Sequence, residues 1–231
     1  IFSRSFLFFA IQAFFALIFF LMGSYNAWND GANWWPFVVS ITNGICIWIM
    51  SRLFRLEGKG YWEIFRIRRE NVKSDLLVML GILVIAAPVS FLPNILLAGW
   101  LFGDAQQALS MLIRPLPFWA AYAGILLFPL TQGLAEIPTY FIYSMPRLKA
   151  QGLPQWLAIA IPSLLLGLQH FAVPCLFDVR YITWRVLMFL PFAFLLGIVL
   201  NWRPRLLPYI AIIHVLMDFS FAVMLLGAAY A

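Results

Sequence analysis

The chain has 231 residues, of which 64% are hydrophobic and only 10% charged, and its mean hydropathy is +0.93. A soluble domain is about 45–50% apolar and about 25% charged, so this composition excludes an ordinary soluble enzyme and predicts an all-α polytopic membrane protein. The net charge of +6 invites a nucleic-acid partner, but the cations cluster between apolar runs, which argues for no nucleic acid and for contact with membrane lipids.

Seven spans of roughly 20 residues are expected in a single transmembrane domain covering 1–231: about 6–23, 35–53, 75–101, 118–144, 155–174, 185–201 and 207–228. The first run, FLFFAIQAFFALIFFLMG, is longer than a signal-peptide core and lacks a small-x-small cleavage site, so it reads as a span. The connection 58–75 mixes Tyr61, Trp62, Ile64, Phe65 and Ile67 with arginines. It is expected to be a helix in the headgroup region, with its rings in the interface and its cations towards anionic lipid. Prolines 88, 129, 138, 162 and 191 fall inside spans, where each removes one helix hydrogen bond. Trp28, Trp34, Trp35, Trp119, Trp156 and Trp202 fall near span ends, as an aromatic belt requires. Cys46 falls inside a span and Cys175 near a span end; they form neither a metal-ligand pair nor a disulfide framework and read as packing residues.

With seven spans the connections alternate sides. One side receives 12 of the 15 cations, from Arg4 and the seven of 52–73 to Arg147, Lys149, Arg203 and Arg205. The excess of cations in cytoplasmic loops places the N-terminus in the cytoplasm and the C-terminus outside. A bacterial inner membrane is the expected setting rather than an organelle.

Four ionisable groups fall well inside the expected spans: Glu136, His170, His214 and Asp218. An acid at a helix centre costs about 2.5–3.5 kcal/mol on insertion, so the four are expected to face one another in an intramembrane polar cavity. His214 and Asp218 are four apart and share a helix face. At about 1.5 Å per residue, Glu136 lies roughly 12 Å, His214 roughly 10 Å and His170 roughly 22 Å from the cytoplasmic ends of their spans. The depth of His170 is thus two turns out of line. Desolvation disfavours a charged carboxylate, so a glutamate there can take a proton from water, while histidines share that proton or face an oxyanion. The same groups suit zinc, a proton relay in a transporter, or a hydrogen-bonded cluster that only holds helices together.

These residues resemble the CAAX protease and bacteriocin-processing family, also called Abi, whose members are intramembrane glutamic endopeptidases and include the type II CAAX prenyl proteases. The family's first motif, EExxxR, would be EIPTYFI from Glu136. The second, FxxxH, would be LGLQH ending at His170. The third, HxxxN or HxxxD, would be HVLMD from His214 to Asp218. The resemblance covers about 118–228. Three places depart from the pattern: Ile137 stands for the second glutamate, Phe141 for the arginine and Leu166 for the aromatic residue. The resemblance implies a metal-independent peptidase without cofactor. In it Glu136 and His170 activate water, and His214 and Asp218 form the oxyanion site. An aspartate there donates a hydrogen bond only when it carries a proton. The implied partner is a peptide or protein substrate, lipidated or not. A catalytically inactive scaffold of the same build, and a proton-coupled transporter, remain the alternatives.

Overall fold

The computed structural model describes residues 2–230. The chain is an all-α polytopic membrane protein. Its helices are α1 (Ser3–Leu21), α2 (Ala27–Asn33), α3 (Trp35–Leu56), α4 (Val72–Phe102), α5 (Ala105–Ser110) and α6 (Phe118–Ile137). They continue as α7 (Met145–Ala150), α8 (Gln155–Gln169), α9 (Val179–Leu187), α10 (Leu190–Trp202) and α11 (Leu207–Tyr230). Among the described residues the only strand-like pairing is an isolated bridge between Ala172 and Cys175.

Among the described residues six helical stretches are long and apolar enough to cross a membrane: Ser3–Leu21, Trp35–Leu56, Tyr61–Phe102, Phe118–Ala150, Val179–Trp202 and Pro204–Leu225. The expected span at 155–174 is helical only over Gln155–Gln169. Fifteen residues rise about 22 Å, short of a hydrocarbon core of about 30 Å. The remaining 170–178 is irregular backbone, and membrane proteins tolerate that only where protein or a cavity shields it. Here Gln12 of α1 supplies the shield: its Nε2 donates to the Cys175 carbonyl at 2.9 Å, and its Oε1 accepts from the Cys175 N–H at 2.8 Å.

The expected span at 118–144 runs further. After Ile137 the helix widens into a π-helical stretch, Pro138–Ser144, and continues as α7 to Ala150. Pro138 has no N–H to offer the Leu134 carbonyl. The Tyr61 hydroxyl, arriving from the segment after α3, donates to that carbonyl. The expected interfacial helix at 58–75 is therefore corrected to two short 3₁₀ turns, Tyr61–Phe65 and Arg69–Asn71. Tyr61 is buried instead of lying in the headgroups, whereas Trp62 is exposed. Tyr61→Phe should lower stability by about 1–2 kcal/mol by leaving a buried carbonyl unpaired. Denaturation in detergent checks this, and an unchanged midpoint would mean the carbonyl has another partner. The tryptophan belt holds for Trp119, Trp156 and Trp202, which are exposed, but Trp35 is buried against Phe128.

α6 packs most extensively on α11, and next on α3. The α6–α11 contact closes over Gly133. A Cβ there would stand 3.0 Å from the Ala211 carbonyl oxygen and closer still to the Val215 side chain. A bare backbone at Gly133 thus lets the two helices touch. Three residues further along each helix lie Glu136 and His214.

Candidate active site

The close approach of α6 and α11 sets the first pair. His214 Nε2 lies 3.5 Å from Glu136 Oε2 and 3.3 Å from Asp218 Oδ2, one turn along its own helix. α8 ends at Gln169, so His170 is presented from a helix terminus, with Nε2 3.8 Å from Glu136 Oε1. The four residues singled out in the sequence therefore meet around one carboxylate. They line a single cavity of about 360 Å³ together with Gln132, Asn94, Trp184 and Arg185.

The two-turn depth mismatch disappears for a definite reason. Glu136 is separated from the true end of its helical run, Ala150, by 14 residues rather than eight, or about 21 Å. His170 lies about 22 Å along α8 from Gln155. The two helices form a hairpin, and the residues sit level across it. α11 reaches the same level in fewer residues because it begins inside the protein: Leu206 and Leu207 are fully buried.

The histidines are held differently. His170 Nδ1 lies 2.8 Å from the Leu166 carbonyl. A carbonyl only accepts, so the proton belongs on Nδ1, and the lone pair of Nε2 faces Glu136. The His170 ring stacks on Phe189 at 3.7 Å between centroids, which fixes its plane. His214 Nδ1 is buried without a hydrogen-bond partner, and its Nε2 stands between two carboxyl groups.

A set of uncharged and cationic residues around Glu136 was not singled out in the sequence. Gln132 Nε2 and Gln169 Nε2 each donate to Glu136 Oε1 at 2.6 Å. One carboxylate oxygen is thus fully engaged, and Oε2 is left towards His214. Arg4, read as a cytoplasmic loop charge, is fully buried in α1 and donates to both glutamine carbonyls. Arg185, the first residue of the expected span 185–201, is buried too, donating to the backbone carbonyls of His170 and Val173. The reading of four intramembrane ionisable groups is thus corrected to include these two arginines. Gln132 stands four residues before Glu136 and Gln169 directly before His170. Polar residues at helical spacing inside apolar runs were the available signal.

The motif departures lie in packed surroundings. Ile137, Phe141 and Leu166 are all buried in one apolar cluster with Tyr140 and Leu200. Among the described residues no three His, Cys, Asp or Glu side chains are placed to hold a metal ion.

Fold and site together define a multi-pass membrane protein with a buried carboxylate–histidine cavity. The chain matches no family model, no curated protein and no solved structure.

Proposed function

We propose that the protein is an intramembrane peptidase that hydrolyses a peptide bond with a water activated by Glu136 and His170. The observation that carries this reading is the convergence of three motifs from separate helices on one carboxylate, inside a cavity large enough for a peptide segment. A water held by Glu136 Oε2, the oxygen left free, with its second hydrogen towards the lone pair of His170 Nε2, gives a proton to Glu136 as its oxygen attacks the carbonyl carbon. The oxyanion that forms faces His214 and Asp218. Glu136 then returns the proton to the amide nitrogen, the C–N bond breaks, and an amine and a carboxylic acid leave.

The substrate is a peptide or protein segment. A second, apolar groove of about 630 Å³ between α4, α10 and α11 suits a lipidated one. The groove shares Phe91, Phe192, His214 and Met217 with the site cavity. With the short α8 and the shielded segment 170–178 counted together as one crossing, and Arg4 set aside as buried, the remaining loop cations favour a cytoplasmic N-terminus and an external C-terminus. A bacterial inner membrane is the setting we propose. The step needs no metal, and elemental analysis showing about one zinc per chain, in the four-coordinate manner of His and carboxylate sites, would overturn that part.

One observation favours a second reading. Ile137 and Phe141 place packed apolar side chains where the resembled family has a glutamate and an arginine, as a non-catalytic scaffold could. A single experiment separates the two: new protein termini are mapped by mass spectrometry in membranes from cells carrying the wild type or Glu136→Gln. Termini that vanish with the variant establish catalysis and name the substrate. Identical maps at equal abundance leave the scaffold.

Asp218→Asn tests the oxyanion half. An aspartate donates there only while protonated, so its contribution is present at low pH and lost as pH rises, whereas an amide donates at every pH. The variant should therefore keep activity at low pH and lose the alkaline fall-off. A pH–rate profile with the wild-type alkaline limb intact would remove Asp218 from the oxyanion site.

A further inference from the structure

We propose that Arg4, on the first helix, is a positioning residue that holds Glu136 in its reactive setting through Gln132 and Gln169. Its Nε donates to Gln169 Oε1 at 2.9 Å and its Nη2 to Gln132 Oε1 at 3.3 Å. Each amide then turns its NH₂ to the same oxygen of Glu136 at 2.6 Å. Two side chains carry the effect of a cation on α1 to a carboxylate on α6 that it does not touch.

The orientation of these amides is the point. A glutamine side chain fits almost equally well with oxygen and nitrogen exchanged, and its partners decide which way it lies. Gln169 Oε1 also accepts from the Tyr140 hydroxyl at 3.0 Å, and Gln132 Oε1 from Asn43 Nδ2 at 2.9 Å. A hydroxyl can rotate to accept instead, and Asn43 can turn its own amide. A guanidinium cannot, because it has only donors. Arg4 at one end, which only donates, and the carboxylate of Glu136 at the other, which only accepts, together hold both carbonyl oxygens towards the cation and both NH₂ groups towards Glu136. With Arg4 gone, the oxygen ends of both amides lose their donor-only partner, and the amides, with the carboxylate they hold, are free to shift.

Arg4 is well placed for this task and poorly explained otherwise. It is fully buried at the start of a transmembrane helix, with no acid within ion-pair distance among the described residues. Its Nη1 is buried without a partner. Eight residues along, Gln12 clamps the backbone of Cys175. α1 is thereby tied at two levels to the segment that presents His170.

The relay itself does not depend on the proposed activity, whereas the catalytic use of Glu136 does, and the experiment reads the two separately. Arg4→Met, Glu136→Met and the double variant are purified as full chains in detergent, and unfolding midpoints are followed by tryptophan fluorescence. The relay predicts strong non-additivity: in the Glu136→Met background, which offers the two amides no oxygen, Arg4→Met lowers the midpoint by less than half of what it does alone. Additive losses mean that Arg4 only packs, and overturn the relay. Coupling that persists when both glutamines are replaced by methionine means a direct charge effect, and overturns it as well.

The second readout uses a peptide spanning a cleavage site found by the termini mapping. Arg4→Met should lower kcat by about tenfold to a hundredfold, as a displaced catalytic group does, with KM within about twofold. Arg4→Lys keeps a donor-only cation and should recover most of the loss. Equal losses in kcat for lysine and methionine would overturn the positioning role. The absence of any Glu136-dependent cleavage would sink the proposed function and leave the thermal cycle to decide the relay.

Discussion

Glu136→Gln should abolish cleavage, with a fall of about 10³-fold set by the loss of a general base, while leaving the fold in place. Glu136 Oε1 accepts from two glutamine amides, and the side-chain oxygen of a glutamine at 136 can accept from the same two. The new NH₂ would stand where Oε2 now lies, 3.5 Å from His214 Nε2, within reach of a slightly tightened hydrogen bond. The packing of the site is therefore preserved, and only the ability to take a proton from water is removed. Measuring product formation alongside the thermal midpoint separates the two effects. Cleavage that survives at wild-type rate would exclude Glu136 as the base, and a midpoint that collapses would mean the carboxylate is needed for folding.

Gly133→Val should be nearly as damaging to activity and more so to stability. The Cβ alone would meet the Ala211 carbonyl oxygen at 3.0 Å, and the Val215 side chain stands nearer still. A backbone carbonyl moves only if its helix moves, so α6 and α11 must part. Overpacking of this kind costs about 1–3 kcal/mol or more. Parting the helices also opens the gap between Glu136 and His214, and a misplacement of about 1 Å can cost about 10²-fold in rate. Gly81→Ala, at a helical site on α4 with nothing within 4 Å, is the control and should be neutral or mildly stabilising by the helix propensity of alanine. Wild-type stability and activity in Gly133→Val would show that the helices do not depend on that contact.

Glu136 and the three residues around it were legible because a membrane span is a sparse background. Glu136, His170, His214 and Asp218 are conspicuous among apolar neighbours, and the high cost of burying them singly implies that they meet. Arg4 was missed because its position near the start of the chain looks like a loop charge. Its partners lie 165 and 128 residues away, and no local window contains them. Gln132, Gln169 and Asn43 were missed because only ionisable groups were weighed. In this site an uncharged amide is what links two buried charges.

The helix ends were read less well than the helices, and the depth error at His170 followed from that. Hydropathy falls after Ser144, but the backbone goes on through a π-helical stretch to Ala150. The irregular segment after Gln169 looked like part of a span because it is apolar, and its polar backbone groups are satisfied by Gln12 and Arg185 from elsewhere in the fold.

Composition and hydropathy by themselves determined that this chain is a bundle of membrane helices. They did so because lipid leaves the backbone no alternative to internal hydrogen bonding, and because apolar runs of that length are rare in any other protein. The charged residues inside those runs also announced a common site. Only the tertiary structure decided how the site is set. It did so through a bare glycine that lets two helices touch, a short helix that ends level with Glu136, and an arginine whose burial is tolerable only beside glutamines contributed by distant segments. Each of these depends on which residues face one another across the bundle, a matter of packing that no single helix carries in its own sequence.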